Sequence, residues 1–180
     1  MDEIVFYEDD YCNIELLRNE NIEYVRVQLE EIERYSTEHR NGSGYTDMYT
    51  RRKEPVSLLA SNIAVDVFEK QLNRIAPRCD QVLIKCGGTV KACDHILAYG
   101  ENKNVVVFIE YSKTLVAKMW FTLDIRDDVD CVTAQTIFSA LRDVGDFILI
   151  DWNWEVIVDI NNEESIKQYL GNRLRVFMSK

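Results

Sequence analysis

NKNVVVFIEYSKT, residues 102–114, passes from a polar turn into a run from Val105 to Glu110 whose only polar member is its last residue. An apolar run of that length, rich in β-branched side chains, reads as a strand covered on both faces and so placed inside a sheet. Its neighbours follow along the chain. QVLIKC (81–86) is a short strand, Gly87–Gly88 a turn that implies a hairpin, KACDHILAY (91–99) a second strand and GENKN (100–104) another turn. TLVAKMWFTLDI (114–125) reads as a further strand, which RDDVD (126–130) breaks.

Helical periodicity flanks this block. Residues 57–75 place Ala64, Val67, Phe68, Leu72 and Ile75 on one face, with Pro77 as the stop. Residues 132–144 do the same with Ala134, Ile137, Phe138 and Leu141, and Gly145 ends that helix. An N-terminal helical stripe over 14–35 carries Ile22, Val25, Leu29 and Ile32, after an opening strand or arm with Ile4, Val5 and Phe6. DFILIDW and WEVIVDI read as strands, and NNEESIKQYLGNRL as a last helix capped by Asn162. No internal repeat is visible. The expected fold is α/β of the α+β kind: one domain over 1–180, with a mixed central sheet flanked by helices, an N-terminal helix and a C-terminal strand–helix extension.

Composition bounds the function. The 180 residues are 47% hydrophobic and 29% charged, which suits a packed globular chain. No apolar run approaches a membrane span, and the acidic start MDEIVFYEDD is the reverse of a secretory signal, so a cytoplasmic location with no membrane partner is expected. Five cysteines are an odd count that suits free thiols in a reducing compartment. Cys79, Cys86 and Cys93 recur every seven residues, but zinc ligands come in pairs two to four residues apart; small buried side chains in neighbouring strands are the simpler expectation. A net charge of −10 opposes attraction to nucleic acid by the overall field and favours a basic partner. The exception is the aperiodic stretch 36–55, where Arg40, Arg51, Arg52 and Lys53 stand near Tyr45 and Tyr49 and could touch phosphate and bases. A solvated loop that offsets the acidic bulk is the plainer alternative.

The order helix, three strands, helix, strand over about 57–152 resembles the core of the PD-(D/E)XK nuclease superfamily. Asp94 opens DHILAYG, and Glu110 closes VVVFIE after the intervening turn. The resemblance implies that Asp94 and Glu110, on adjacent strands, hold Mg2+ or Mn2+, which offsets charge building on a phosphodiester during hydrolysis. It also implies a nearby lysine, for which Lys113 is the candidate, and an assisting acid from the preceding helix, Glu69 or, second, Asp66. This sequence departs from the pattern. Ser112 stands where the family has its lysine, and Lys113 leaves the opposite strand face unless a bulge intervenes. Cys93 stands where a proline often precedes the first acid. His95 is expected half-buried on the face opposite Asp94, and His39 has no visible partner.

Two functions therefore compete. One is a metal-dependent nuclease-like protein acting on nucleic acid, active or catalytically degenerate, alone or as part of a larger assembly or homo-oligomer. The other is an acidic, non-enzymatic inhibitor of a basic nucleic-acid enzyme, of the toxin-immunity, anti-CRISPR or DNA-mimic type. Its phosphate-like track would come from Glu8–Asp10, from Glu30, Glu31 and Glu33, or from Asp127, Asp128 and Asp130. A scaffold without a site is a third possibility if Trp120, Trp152 and Trp154 are exposed together.

Overall fold

The computed structural model describes residues 2–42 and 44–179. Along the chain run β1 (Glu3–Tyr7), β2 (Ile14–Arg18), α1 (Ile22–Glu38), β3 (Arg40–Asn41), β4 (Gly44–Tyr45), α2 (Val65–Leu72), β5 (Gln81–Cys86), β6 (Thr89–Ala92), β7 (Ile96–Tyr99), β8 (Val105–Ser112), β9 (Leu115–Leu123), α3 (Asp128–Arg142), β10 (Phe147–Asp151), β11 (Val156–Asp159) and α4 (Glu163–Met178). The fold is α+β. A six-stranded sheet in the order β11-β10-β2-β9-β8-β7 is accompanied by a smaller sheet, β1-β5-β6, and the β3–β4 hairpin.

Three corrections to the expected strands matter for the site. Ile14–Arg18 is not the start of the first helix. It is an inner strand, paired antiparallel to β10 along all five residues and meeting β9 at Glu15–Trp120. The helix begins only after a 3-10 turn at Asn19–Asn21. The stretch 91–99 is two strands in two sheets: β6 pairs with β5, whereas β7 pairs with β8. The central sheet is also not mixed. Its pairings are antiparallel, and the parallel pair, β1 with β5, belongs to the small sheet. Five strands thus separate α2 from α3, two of them outside the central sheet.

Two helix boundaries also differ. Residues 57–75 contain a 3-10 turn at Leu59–Ser61, the left-handed residue Asn62 and then the short α2. RDDVD does more than break a strand: Asp127 accepts the Asp130 N–H and starts α3 there. The Asn162 cap on α4 is as expected, accepting from the N–H groups of Glu164 and Ser165.

Strand alternation gives the central sheet two different faces. Leu97, Val107, Ile109, Met119 and Phe121 point into the main core, which also takes Phe68 and Leu72 of α2, Phe138 of α3 and Leu170 of α4. The other face is covered in two patches. Over β7, β8 and β9 lies the small sheet, with Ile4, Phe6 and Val82 on Ala98, Phe108 and Trp120. Over β2 and β10 lies α1, with Val25 on Leu17, Ile148 and Ile150. Between the two patches the apolar cover is interrupted by Glu15, Lys118 and Glu110.

Candidate functional site

Glu110 and Lys118 face each other across β8 and β9, one step beyond the stacked Phe108–Trp120 pair, whose ring centroids are 5.2 Å apart. The register shifts between Glu110 and Tyr111, so a bulge does occur where the lysine spacing required one. It does not bring Lys113 to the acid. Lys113 lies exposed in the β8–β9 turn at φ +58°. The cation beside Glu110 is Lys118, from a neighbouring strand. Tyr11, between β1 and β2, closes this spot: its hydroxyl donates to Glu110 at 2.5 Å and its ring lies 5.5 Å from the Lys118 ammonium. Half-burial, together with the Glu110 carboxylate, pushes the Tyr11 hydroxyl far above the usual phenol range.

Asp94 is elsewhere. It is exposed in the turn between β6 and β7 rather than on a strand, and its carbonyl accepts from the Tyr111 hydroxyl at 3.0 Å. The Ala92–Cys93 segment and Ile96 separate two clefts. Asp94 lines one of about 540 Å³ with Asp80 and Arg78; Glu110 lines another of about 420 Å³ with His95 and Tyr11. Both carboxylates are near enough to Cys93 to raise its thiol, after burial as the main cause, but they do not share a cleft. His95 is exposed on the Glu110 side rather than half-buried. Glu69 lies across the sheet, where it accepts from Tyr99 and Arg78, each at 3.0 Å. Asp66 is exposed in the first turn of α2. Among the described residues, no group of three or more His, Cys, Asp or Glu side chains gathers in a way that could hold a metal ion.

The basic stretch folds back onto the sheet. Buried Asn21 ties it down through both Val56 backbone groups, donating at 2.8 Å and accepting at 3.0 Å. Arg51 crosses to β2, bonding Glu15 at 3.1 Å and the Cys12 carbonyl at 3.3 Å while stacking 4.4 Å above Trp152. Arg52 pairs with Glu31 at 2.7 Å, and Lys53 is exposed. Arg40 is exposed in the distal β3–β4 hairpin. Ser43 and the Tyr45 side chain lie outside the described residues. His39 does have a partner: it stacks 3.8 Å from Tyr35. Burial raises the Glu15 carboxyl despite Arg51 and the Trp152 N–H, which donates at 2.7 Å.

The acids are distributed unevenly. Asp10 and Asp124 share a cleft of about 250 Å³ where β2 begins and β9 ends, with Arg173 in its wall. Asp127 and Asp128 follow directly at the start of α3, and Glu8 and Asp9 precede Asp10 in an exposed 3-10 turn. Asp130 is not part of any exposed track. It is buried and accepts from Asn102, Asn104 and the Arg126 N–H. Glu31 is likewise engaged by Arg52, whereas Glu30 and Glu33 are exposed on α1. The three tryptophans form no exposed group: Trp120 and Trp152 are buried and Trp154 is half-buried. The five cysteines are free, with Cys12 and Cys79 buried. No helix among the described residues is long and apolar enough to cross a membrane. Comparison with protein-family models, curated proteins and solved structures gives no match.

Proposed function

We propose that the protein is an acidic, non-enzymatic binder that occupies the cationic surface of a nucleic-acid enzyme. The supporting observation is that Asp10 and Asp124, 114 positions apart in sequence, line one cleft, with Asp9 beside Asp10 in an exposed turn and Asp127 and Asp128 following Asp124 at the start of α3, so that the acids there outnumber Arg126, which pairs with Asp124, and Arg173. A surface of that kind steers association with a positively charged partner and excludes nucleic acid of the same sign. A metal-dependent nuclease has less support, because its two carboxylates line different clefts and its lysine lies in a turn.

The test is inhibition of a panel of purified basic nucleases by the wild-type chain and by Asp9→Asn/Asp10→Asn/Asp127→Asn/Asp128→Asn. Asparagine keeps the capping oxygen at 127, so the fold should persist. Inhibition of a panel member that weakens with salt, and at least about tenfold in the variant, is expected. Inhibition of no member, or equal inhibition by the variant, would remove the proposal.

A further inference from the structure

We infer that the cleft between the Thr50–Glu54 segment and the central sheet is a binding site for a compact phosphorylated anion. The cleft encloses about 450 Å³, within the range of small-molecule sites. Its charged lining is Arg51, Arg52, Lys53 and Lys118 against Glu15 and Glu54. Cations outnumber acids there in a chain whose net charge is −10, so the cleft opposes the molecule's overall sign.

The pairing within the cleft shows which charges remain available. Glu15 is already satisfied by Arg51 and the Trp152 N–H. Arg51 is held rigidly by that ion pair, by the Cys12 carbonyl and by Trp152 beneath it. Among the described residues, neither Lys53 nor Lys118 has a carboxylate within ion-pair distance. Lys118 is half-buried, with its ammonium over the Tyr11 ring. Glu110 across the strands and Glu15 lie near this ammonium without reaching ion-pair distance, so an incoming anion gives a partly desolvated charge the direct partner it lacks. Arg52 is largely exposed and holds Glu31 from outside the cleft, so its guanidinium can turn to a doubly charged acceptor.

The same charges select against a long polyanion. Screening confines the pull of the cleft to about 8 Å at physiological salt, so a strand leaving it meets the acidic remainder of the molecule. A phosphate monoester or a diphosphate stays within reach of the two lysines and both arginines. This inference is independent of the proposed partner surface, since the two clefts have no lining residue in common.

The experiment is calorimetric titration of the full chain with inorganic pyrophosphate, ADP and a ten-nucleotide single-stranded DNA at physiological salt. The variants are Lys118→Met, Lys53→Met and Glu54→Gln. Saturable binding of pyrophosphate or ADP is expected below millimolar concentration, weakened at least tenfold by Lys118→Met or by the exposed change Lys53→Met, and strengthened by Glu54→Gln. ADP binding with pyrophosphate as a competitor identifies a phosphorylated small molecule as the ligand class. No saturable binding by 1 mM, binding unchanged in both lysine variants, or tighter binding of the oligonucleotide than of ADP would overturn the inference.

Discussion

Replacing Arg173 by Met should destabilise the protein more than any surface change. Arg173 joins α4 to two strands: it donates to Asp151 of β10, to the Leu123 carbonyl of β9 at 2.6 Å and to the Tyr169 hydroxyl at 2.8 Å. The Asp151 side chain has no exposed surface and that of Arg173 has 13%. Methionine keeps much of the volume but leaves the carboxylate with Tyr169 and the N–H groups of Asn153 and Trp154 and no cation. Removing one partner of a buried ion pair costs about 3–5 kcal/mol. With a urea m-value of about 2 kcal/mol/M, the midpoint should fall by about 1.5–2.5 M. Equilibrium urea unfolding followed by tryptophan fluorescence measures this, with Asp151→Asn and the double variant completing the cycle. The double variant should be more stable than Arg173→Met alone, because the uncompensated charge is gone. A loss below about 1 kcal/mol for Arg173→Met, or strict additivity in the cycle, would refute the role given to this pair.

Other consequences are more local. Burial and the neighbouring Glu15 push the Cys12 thiol from 9.0 to about 12, so at pH 8 its thiolate fraction should be about a thousandfold below that of an unfolded cysteine, and a thiol reagent should label it only on unfolding. Because the folded state retains this proton longer, stability should decline as pH rises from about 9 towards about 12, which pH-dependent unfolding would detect. Gly100→Ala would set a Cβ 2.7 Å from the Val105 carbonyl, a backbone atom, and should cost about 1–3 kcal/mol in thermal unfolding. Asn162→Ala removes the acceptor at the start of α4 and should cost about 1 kcal/mol by the same measurement.

What the sequence made legible was mostly local. The Val105–Glu110 strand, the Gly87–Gly88 hairpin and the Asn162 cap each depend on neighbouring residues, and each is found. Ile14–Arg18 was obscured because its apolar residues run into the helical spacing of Ile22 and Val25, and only a 3-10 turn without glycine or proline divides them. The move between sheets at Cys93–His95 likewise lacks a breaker. Glu110 was found as a strand-end acid, but its partners were not. Tyr11 is 99 positions away, and Lys118 reaches it by cross-strand register. The available signal was a lysine within the apolar run of β9, a polar residue on a face otherwise set for burial. The Arg51–Glu15 link depends on Asn21 drawing the Val56 backbone against α1, which no local pattern announces.

Whether Asp94 and Glu110 can hold one ion between them decides between a binder and a metal-dependent nuclease. Titration of Mn2+ into isotopically labelled protein, read as paramagnetic broadening of backbone amides, answers this when wild type is compared with Glu110→Gln. Placement of the two acids in separate clefts predicts no saturable site that broadens the Asp94 turn and the Glu110 end of β8 together, and no difference between the two proteins there. Tight, stoichiometric broadening centred on both residues and lost in Glu110→Gln would contradict it and restore the metal-dependent nuclease.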